Sequence, residues 1–275
     1  MGLRIQTNMA SVNAQRNLRV NSSGLERSME RLSSGYRINK SMDDVAGLAI
    51  SESMRGQLRA LGQAERNAQD GISFVQVAEG GLNESSNILN RIRELSTQAA
   101  SDTIGEAERG FVDIEVQQLK SELDRIAQTT EYVGTKLLDG SAQKLDFHVG
   151  MRGDEKNVIS YEAGQANATL GALDISGVSV KDKGDARSTL DVIDKAISKV
   201  AAMRANFGAI QSRMSMSVNN LSTYRENLSA ANSRIKDADM AEESANLART
   251  NILQQAGVAT LAQANVSNNL ALKLL

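Results

Sequence analysis

One run of residues restricts the fold more than any other. From Ile193 onward an apolar side chain stands at every seventh position: Ile193, Val200, Phe207, Met214, Leu221, Leu228 and Ile235. Three residues beyond each come Ala196, Met203, Ile210, Ser217, Tyr224, Ala231 and Ala238, and only Ser217 interrupts that second row. Two such rows make the seam of one long helix. At 1.5 Å per residue the seam extends over roughly 65–70 Å. A helix of that length does not fit inside a compact globule, so its seam is expected to lie against other long helices.

The rest of the chain supplies them. Its 275 residues include no proline, so nothing forces a helix to stop or kink. Tryptophan is absent, and four Phe and four Tyr are too few for a thick globular core. Residues 7–36 read as a helix carrying Met9, Val12, Leu18, Leu25 and Leu32, with Met29 and Tyr36 on the adjoining row. Asn and Ser interrupt it so often that alone in water it would be marginal. Ser41 and Asp44 have capping-box spacing before a second long helix. That helix has a seam of Met54, Leu61, Ala68, Val75, Leu82 and Leu89. Beside it runs a row of mostly small residues, Ala64, Gly71, Ala78, Ser85, Ile92 and Ala99, which lets a neighbour come close. Gly80 and Gly81 each cost about 1 kcal/mol relative to alanine, and close approach of a neighbour would offset this. A third helix shows Val112, Val116, Leu119, Leu123 and Ile126 and ends near Glu131.

From Lys144 the period changes to two: Leu145, Phe147 and Val149 alternate with Asp146 and His148. Residues 158–161 read as a second strand and 175–180 as a weaker third. After the organising helix, Asp239 and Glu242 repeat the capping-box spacing. The last helix carries Ala245, Ile252, Ala259 and Val266, with Leu247, Leu253 and Leu261 beside them. An apolar arc this wide expects burial on more than one side. The chain closes on Leu270, Leu272, Leu274 and Leu275. The fold class is therefore mainly α: long antiparallel helices in a bundle or coiled-coil rod, with a small β patch.

Several function classes drop out. The formal net charge is −2, and no basic stripe is interleaved with aromatics, so no nucleic-acid interface is expected. Without cysteine there are no disulfides and no thiolate metal centres. Residues 1–18 lack the apolar core of a conventional secretory signal, and no stretch reaches the length of a membrane span. His148 is the one histidine and falls on the polar side of a strand, where an exposed surface residue is the plain reading. Asp43, Asp44, Asp237 and Asp239 lack EF-hand spacing and read as caps and solvated loops. No phosphate loop, zinc-ligand cluster, nucleophile motif or His-Glu-x-x-His protease signature is present. The expectation is a non-enzyme with no catalytic, cofactor or metal site.

The motifs carry a family resemblance. Leu32-Ser-Ser-Gly-Tyr-Arg-Ile-Asn39, followed by Asp43-Asp-Val-Ala-Gly-Leu-Ala-Ile-Ser51, resembles the N-terminal signature of bacterial flagellins. Asp70-Gly-Ile-Ser73, Ala78-Glu-Gly-Gly-Leu82, Arg91-Ile-Arg-Glu-Leu-Ser-Thr-Gln98 and Lys136-Leu-Leu-Asp-Gly140 follow in the family's order. In the C-terminal half, Arg204-Ala-Asn-Phe-Gly-Ala-Ile-Gln-Ser-Arg213, the run from Glu226 to Met240, and Leu261-Ala-Gln-Ala-Asn265 are similarly placed. Val133 stands where the family usually has Asn, Phe207 where it has Leu, and Gly81 where Ala is common. The resemblance covers about 1–140 and 190–275, and leaves no room in 141–189 for large variable outer domains.

The resemblance implies paired termini, with 1–43 and 239–275 as inner filament-core helices. Residues 44–140 and 185–238 would form a rod-like helical domain, with 141–184 as its β and turn region. It implies a structural subunit that self-assembles into a helical tubular filament for motility, exported by the flagellar type III pathway to an extracellular position. The implied partners are further copies of the chain, an export chaperone at the C-terminal helix, and hook-associated and cap proteins. Arg91, Leu95, Gln98 and Glu115 match positions that, in some flagellins, meet the vertebrate innate flagellin receptor. An Arg paired with a carboxylate around a packed Leu is hot-spot chemistry. An ordinary packing or assembly face is the plain reading of the same four residues. Two other readings stay open: the hook–filament junction protein, which shares both terminal regions, and a helical coiled coil that does not polymerise.

Overall fold

A computed structural model describes residues 7–141, 144–162, 164 and 166–273, with side chains up to residue 266. The leucines at 270–275 noted above therefore lie outside the described side chains. Five α-helices occur among the described residues: α1 (Met9–Ser34), α2 (Val45–Ala99), α3 (Glu106–Thr129), α4 (Lys183–Lys236) and α5 (Met240–Lys273). Between α3 and α4 lie β1 (Glu131–Tyr132), β2 (Thr135–Lys136), β3 (Leu145–His148) and β4 (Val158–Tyr161). The strands pair antiparallel as β1 with β2 and β3 with β4. The protein is thus mainly α with a small β patch, as the periodicities predict.

The chain divides into two compact units. One takes the chain up to Leu58 and from Glu226 onward, and the other is Arg59–Arg225. Both divisions fall inside α2 and α4, away from the chain breaks at 43/44 and 238/239 that the sequence suggests.

In the Arg59–Arg225 unit, α2 and α4 run antiparallel. Ion pairs Arg93–Asp194, Glu79–Arg204 and Glu65–Arg225 climb one helix while descending the other. Leu61, Ala64, Ala68, Val75, Ala78, Leu82, Leu89, Ile92 and Ala99 of α2 are buried, as are Ile193, Ala196, Val200, Phe207, Met214 and Leu221 of α4. Gly81 sits where a Cβ would come within 2.8 Å of Leu138 Cδ1 and of Thr130 Oγ1, whereas Gly80 faces open space. Only Gly81 is therefore explained by a close neighbour. The aromatics concentrate in one place. Phe74 packs edge-on against Tyr132, Phe147 and Tyr161, and Tyr161 stacks at 5.0 Å on Phe207. This cluster fixes the β patch on the helices.

The third strand expected at 175–180 does not form. Its carbonyls and amides are claimed by side chains of α3 and α4 instead of a ladder. Lys120 Nζ donates to Ser176 O and Val178 O, Asp113 Oδ1 accepts from Val180 N, and Thr189 Oγ1 donates to Ser179 O. Ile175, Val178 and Val180 are buried beneath this irregular segment. Conversely, the β1–β2 hairpin, turning on Val133 at φ 49° and Gly134 at φ 77°, is too short for periodicity to signal. His148 is half-buried, and its carbonyl accepts from Asn67 Nδ2.

Capping departs from the sequence reading in one place. Asp44 does not serve as the third helical residue of a box with Ser41. It is itself the N-cap of α2, and its Oδ1 accepts from Gly47 N at 2.8 Å. Asp43 instead closes the preceding turn, accepting from Asn39 N and Lys40 N. At α5, Asp239 caps as expected, accepting from Ala241 N and Glu242 N.

Candidate assembly surfaces

The first surface belongs to the paired ends. Helices α1 and α5 pack together through a seam of small and polar residues: Ser11, Ala14 and Ser28 on α1, and Glu243 and Ala264 on α5, are buried. Half-buried Leu18, Leu25, Leu32, Leu247 and Leu261 flank it. Small side chains let the backbones approach. A Cβ on Gly257 would lie 3.2 Å from Leu18 Cγ, and Asn8 Nδ2 reaches Ala264 O at 2.9 Å. Arg31 and Glu243 form an ion pair at 3.6 Å.

This pairing leaves most of the large apolar side chains outside. Met9, Val12, Val20 and Met29 of α1 and Ile252, Leu253, Val258 and Val266 of α5 are all at least 45% exposed. The α5 row Ala245, Ile252, Ala259 and Val266 faces outward, and Glu243, Leu247, Thr250, Gly257, Leu261 and Ala264 face α1 instead. The apolar arc of α5 is wider than one partner helix can cover, so the excess is presented to solvent.

The same unit holds a clamp between two chain turns. Arg37 N donates to Lys236 O, Ala238 N donates to Gly35 O, and the Arg37 guanidinium caps α4 at Ile235 O. Lys236 lies 5.0 Å from the centre of the Tyr36 ring and 3.2 Å from Glu52. Glu52 is held below the usual carboxylate range, first by the Lys236 hydrogen bond. These residues carry much of the signature motif near 32–51, which here has a structural use.

The seam residues are graded by position. Ile193, Val200, Phe207, Met214 and Leu221 are buried, while Leu228 and Ile235, which belong to the terminal unit, are half-buried. The four receptor-type residues do not share one surface. Arg91 is exposed and donates through Nε and Nη2 to Glu115 Oε1 at 3.1 and 3.0 Å, and through Nη1 to Glu94 at 3.1 Å. Gln98 is exposed. Leu95 is 2% exposed and packs in the core beside Leu89, Ile92 and Ala99. The outer face at this level is therefore Arg91, Gln98 and Glu115, without a central leucine.

One polar cluster escaped the sequence reading. The buried stripe of α3 is Arg109, Asp113, Val116, Lys120, Leu123 and Ala127. Burial works against the Asp113 charge, but the Val180 amide, the Ser179 hydroxyl and the Gln117 amide outweigh it and hold the carboxyl below its ordinary value. Burial lowers the Lys120 ammonium, and Asp113 partly offsets that. Arg109 donates to Ala99 O at 2.9 Å and Ser101 O at 3.0 Å, closing the end of α2. Spacing alone signals this cluster: Asp113 and Lys120 stand one heptad apart, on the same face as Val116 and Leu123. Among the described residues no group of His, Cys, Asp and Glu is arranged to hold a metal ion.

Comparison with known proteins decides the family. The profile of the bacterial flagellin N-terminal helical region matches residues 5–143, and that of the C-terminal helical region matches 190–275. The chain belongs to the bacterial flagellin family. It is 42% identical over 271 residues to a flagellin of Halalkalibacterium halodurans, covering 98% of this chain and 99% of the other. A flagellin of Bacillus subtilis is 41% identical over 304 residues, covering 99% and 100%. A flagellar filament core protein of Brachyspira hyodysenteriae is 40% identical over 283 residues, covering 98% and 99%. The crystal structure of Bacillus cereus flagellin superposes with a TM-score of 0.51 at 30% identity, over 61% of this chain and 94% of that one. This flagellin is a minimal one, and a structural subunit of the flagellar filament. Self-polymerisation follows from the family. No helix among the described residues is long and apolar enough to cross a membrane.

Proposed function

We propose that the chain polymerises through its paired ends, with α1 and α5 forming the inner filament core. The observation that carries this is the row of bulky apolar side chains left exposed on α1 and α5, from Met9 to Met29 and from Ile252 to Val266. Such a surface asks for a partner, and stacked copies of the same helices supply one. The terminal unit has little core of its own: Ala14, Ile38 and Ala264 are its buried apolar residues among those described. In the isolated subunit these ends are therefore expected to be mobile and to become helical on assembly.

Circular dichroism of monomer and seeded filament tests this. Helix content should rise on polymerisation, and equal content in the two states would refute it. The copy number in purified filaments separates a main subunit from a junction protein present at one end.

Further roles follow from the same reading. The chain is exported by the flagellar type III pathway to an extracellular filament, and α5 is the segment a dedicated chaperone covers before export. Hook-associated and cap proteins meet the ends of the polymer. The chain has no enzymatic role. Recognition by the vertebrate innate receptor would use Arg91, Gln98 and Glu115, while Leu95 acts only by holding α2 in place. Arg91→Ala and Glu115→Ala should then weaken receptor signalling without unfolding the monomer.

A further inference from the structure

The Arg59–Arg225 unit buries most of its apolar residues, but α3 leaves two large ones outside. Phe111 is 72% exposed and Ile114, one turn on, is 61% exposed. Arg109 and Asp113, on the opposite face, are buried, so both apolar side chains point away from the unit. Exposed Glu108 lies one turn before Phe111, and exposed Glu115 follows Ile114. The face is an apolar pair with Glu108 at one end and, at the other, Glu115 already paired with Arg91.

A second patch of opposite character lies on α4. Met216 is 67% exposed, while Met214, two residues back, is fully buried. Exposed Arg213 stands one turn before Met216, and exposed Asn220 one turn after. Neither Arg213 nor Glu108 makes an ion pair among the described residues.

The two patches sit at different levels. The Arg91–Glu115 pair places the Phe111 face beside residue 91 of α2. The approach of Met214 to Gly71 places the Met216 face beside residue 71. Twenty residues of helix separate those levels by roughly 30 Å. A contact between unlike patches is not two-fold, and where copies stack in parallel with this offset each copy added presents the same free patch again.

We propose that the Phe111–Ile114 face of α3 docks on the Arg213–Met216 face of α4 of a second copy of this chain. The Phe111 ring meets the Met216 thioether, a favourable sulfur–aromatic contact, and Glu108 pairs with Arg213. The proposal rests on the self-assembly reading above and names the surfaces that carry it along the Arg59–Arg225 unit.

Charge reversal in the full chain tests it. Glu108→Arg and Arg213→Glu should each slow seeded elongation by about tenfold or more, and the double variant should recover to within about threefold of the parent. Monomer melting temperatures should fall by no more than about 4 °C, the part due to Glu108 leaving the first turn of α3. Singles that elongate like the parent, or a double no faster than the singles, would overturn the pairing. If the parent itself does not polymerise, the self-assembly reading fails, and a second arm still decides the contact. The chain has no cysteine. Phe111→Cys chain mixed with Met216→Cys chain, under mild oxidation by copper–phenanthroline, should give a covalent dimer that neither gives alone. No mixed dimer means no such contact.

Discussion

The turn between β1 and β2 contains a local conflict that a single substitution should relieve. Val133 and Gly134 both have positive φ, 49° and 77°, the arrangement of a two-residue hairpin turn of the I′ kind. Glycine adopts it without steric cost. Valine does not: the left-handed region costs an L-residue roughly 1–2 kcal/mol, and a β-branched side chain is among the worst placed there. Packing does not compensate, because Val133 is 89% exposed. Asparagine visits this region readily, so Val133→Asn removes most of the penalty and forfeits almost no burial. The expected gain is about 1 kcal/mol, which for a unit of this size raises the melting temperature by roughly 2–4 °C. Thermal unfolding of the monomer, followed by circular dichroism, reads it directly. Val133→Ala should fall between parent and Asn variant, since it removes the branch but keeps a Cβ. Gly134→Ala should lower stability by about 1 kcal/mol. A Val133→Asn protein that melts at or below the parent would refute the strain argument.

Other substitutions probe the packing and the buried charges. Leu221→Ala should cost about 2–4 kcal/mol because the side chain is buried, Leu228→Ala about 1–2 because it is half-exposed, and the melting curve should rank them so. Arg225→Ala should cost about 1 kcal/mol, because Arg225 is exposed while Glu65, its partner at 2.6 Å, is largely covered. Asp113 has a depressed carboxyl in the folded state, so its contribution is complete above the ordinary carboxylate range, near pH 4, and is lost as pH falls through the lower folded value. Asp113→Ala should therefore cost about 2–3 kcal/mol at pH 7, because it leaves the Val180 amide and the Ser179 hydroxyl without their acceptor, and should give a flatter acid limb in stability measured between pH 2 and 5. The buried Tyr161 hydroxyl has no hydrogen-bond partner among the described residues, and burial pushes it beyond the usual phenol range. Tyr161→Phe should stabilise by about 1 kcal/mol, and a loss of that size in urea titration would show that the hydroxyl is satisfied after all.

The amino-acid sequence alone determined the long elements and their inward faces. The seven-residue rows of α4, the small-residue row of α2 and the cap at Asp239 are local, repetitive signals, and each added turn reinforces them. The family was also legible, because its motifs are contiguous runs. The tertiary structure decided what depends on a neighbour. Which arc of α5 turns inward was settled by α1, whose small Ser11, Ala14 and Ser28 admit a close partner and leave Ile252 and Val266 outside. Residues 175–180 have strand-like alternation, yet Lys120, Asp113 and Thr189 take the hydrogen bonds that a ladder would need. Spacing puts Asp113 and Lys120 on the Val116–Leu123 face, but only the segment packed there shows which groups they bind. Leu95 shares its motif with exposed Arg91 and Gln98, and burial assigned it to the core. Periodicity records which residues share a face; only packing determines what that face meets, because desolvation and hydrogen-bond pairing are properties of two surfaces together.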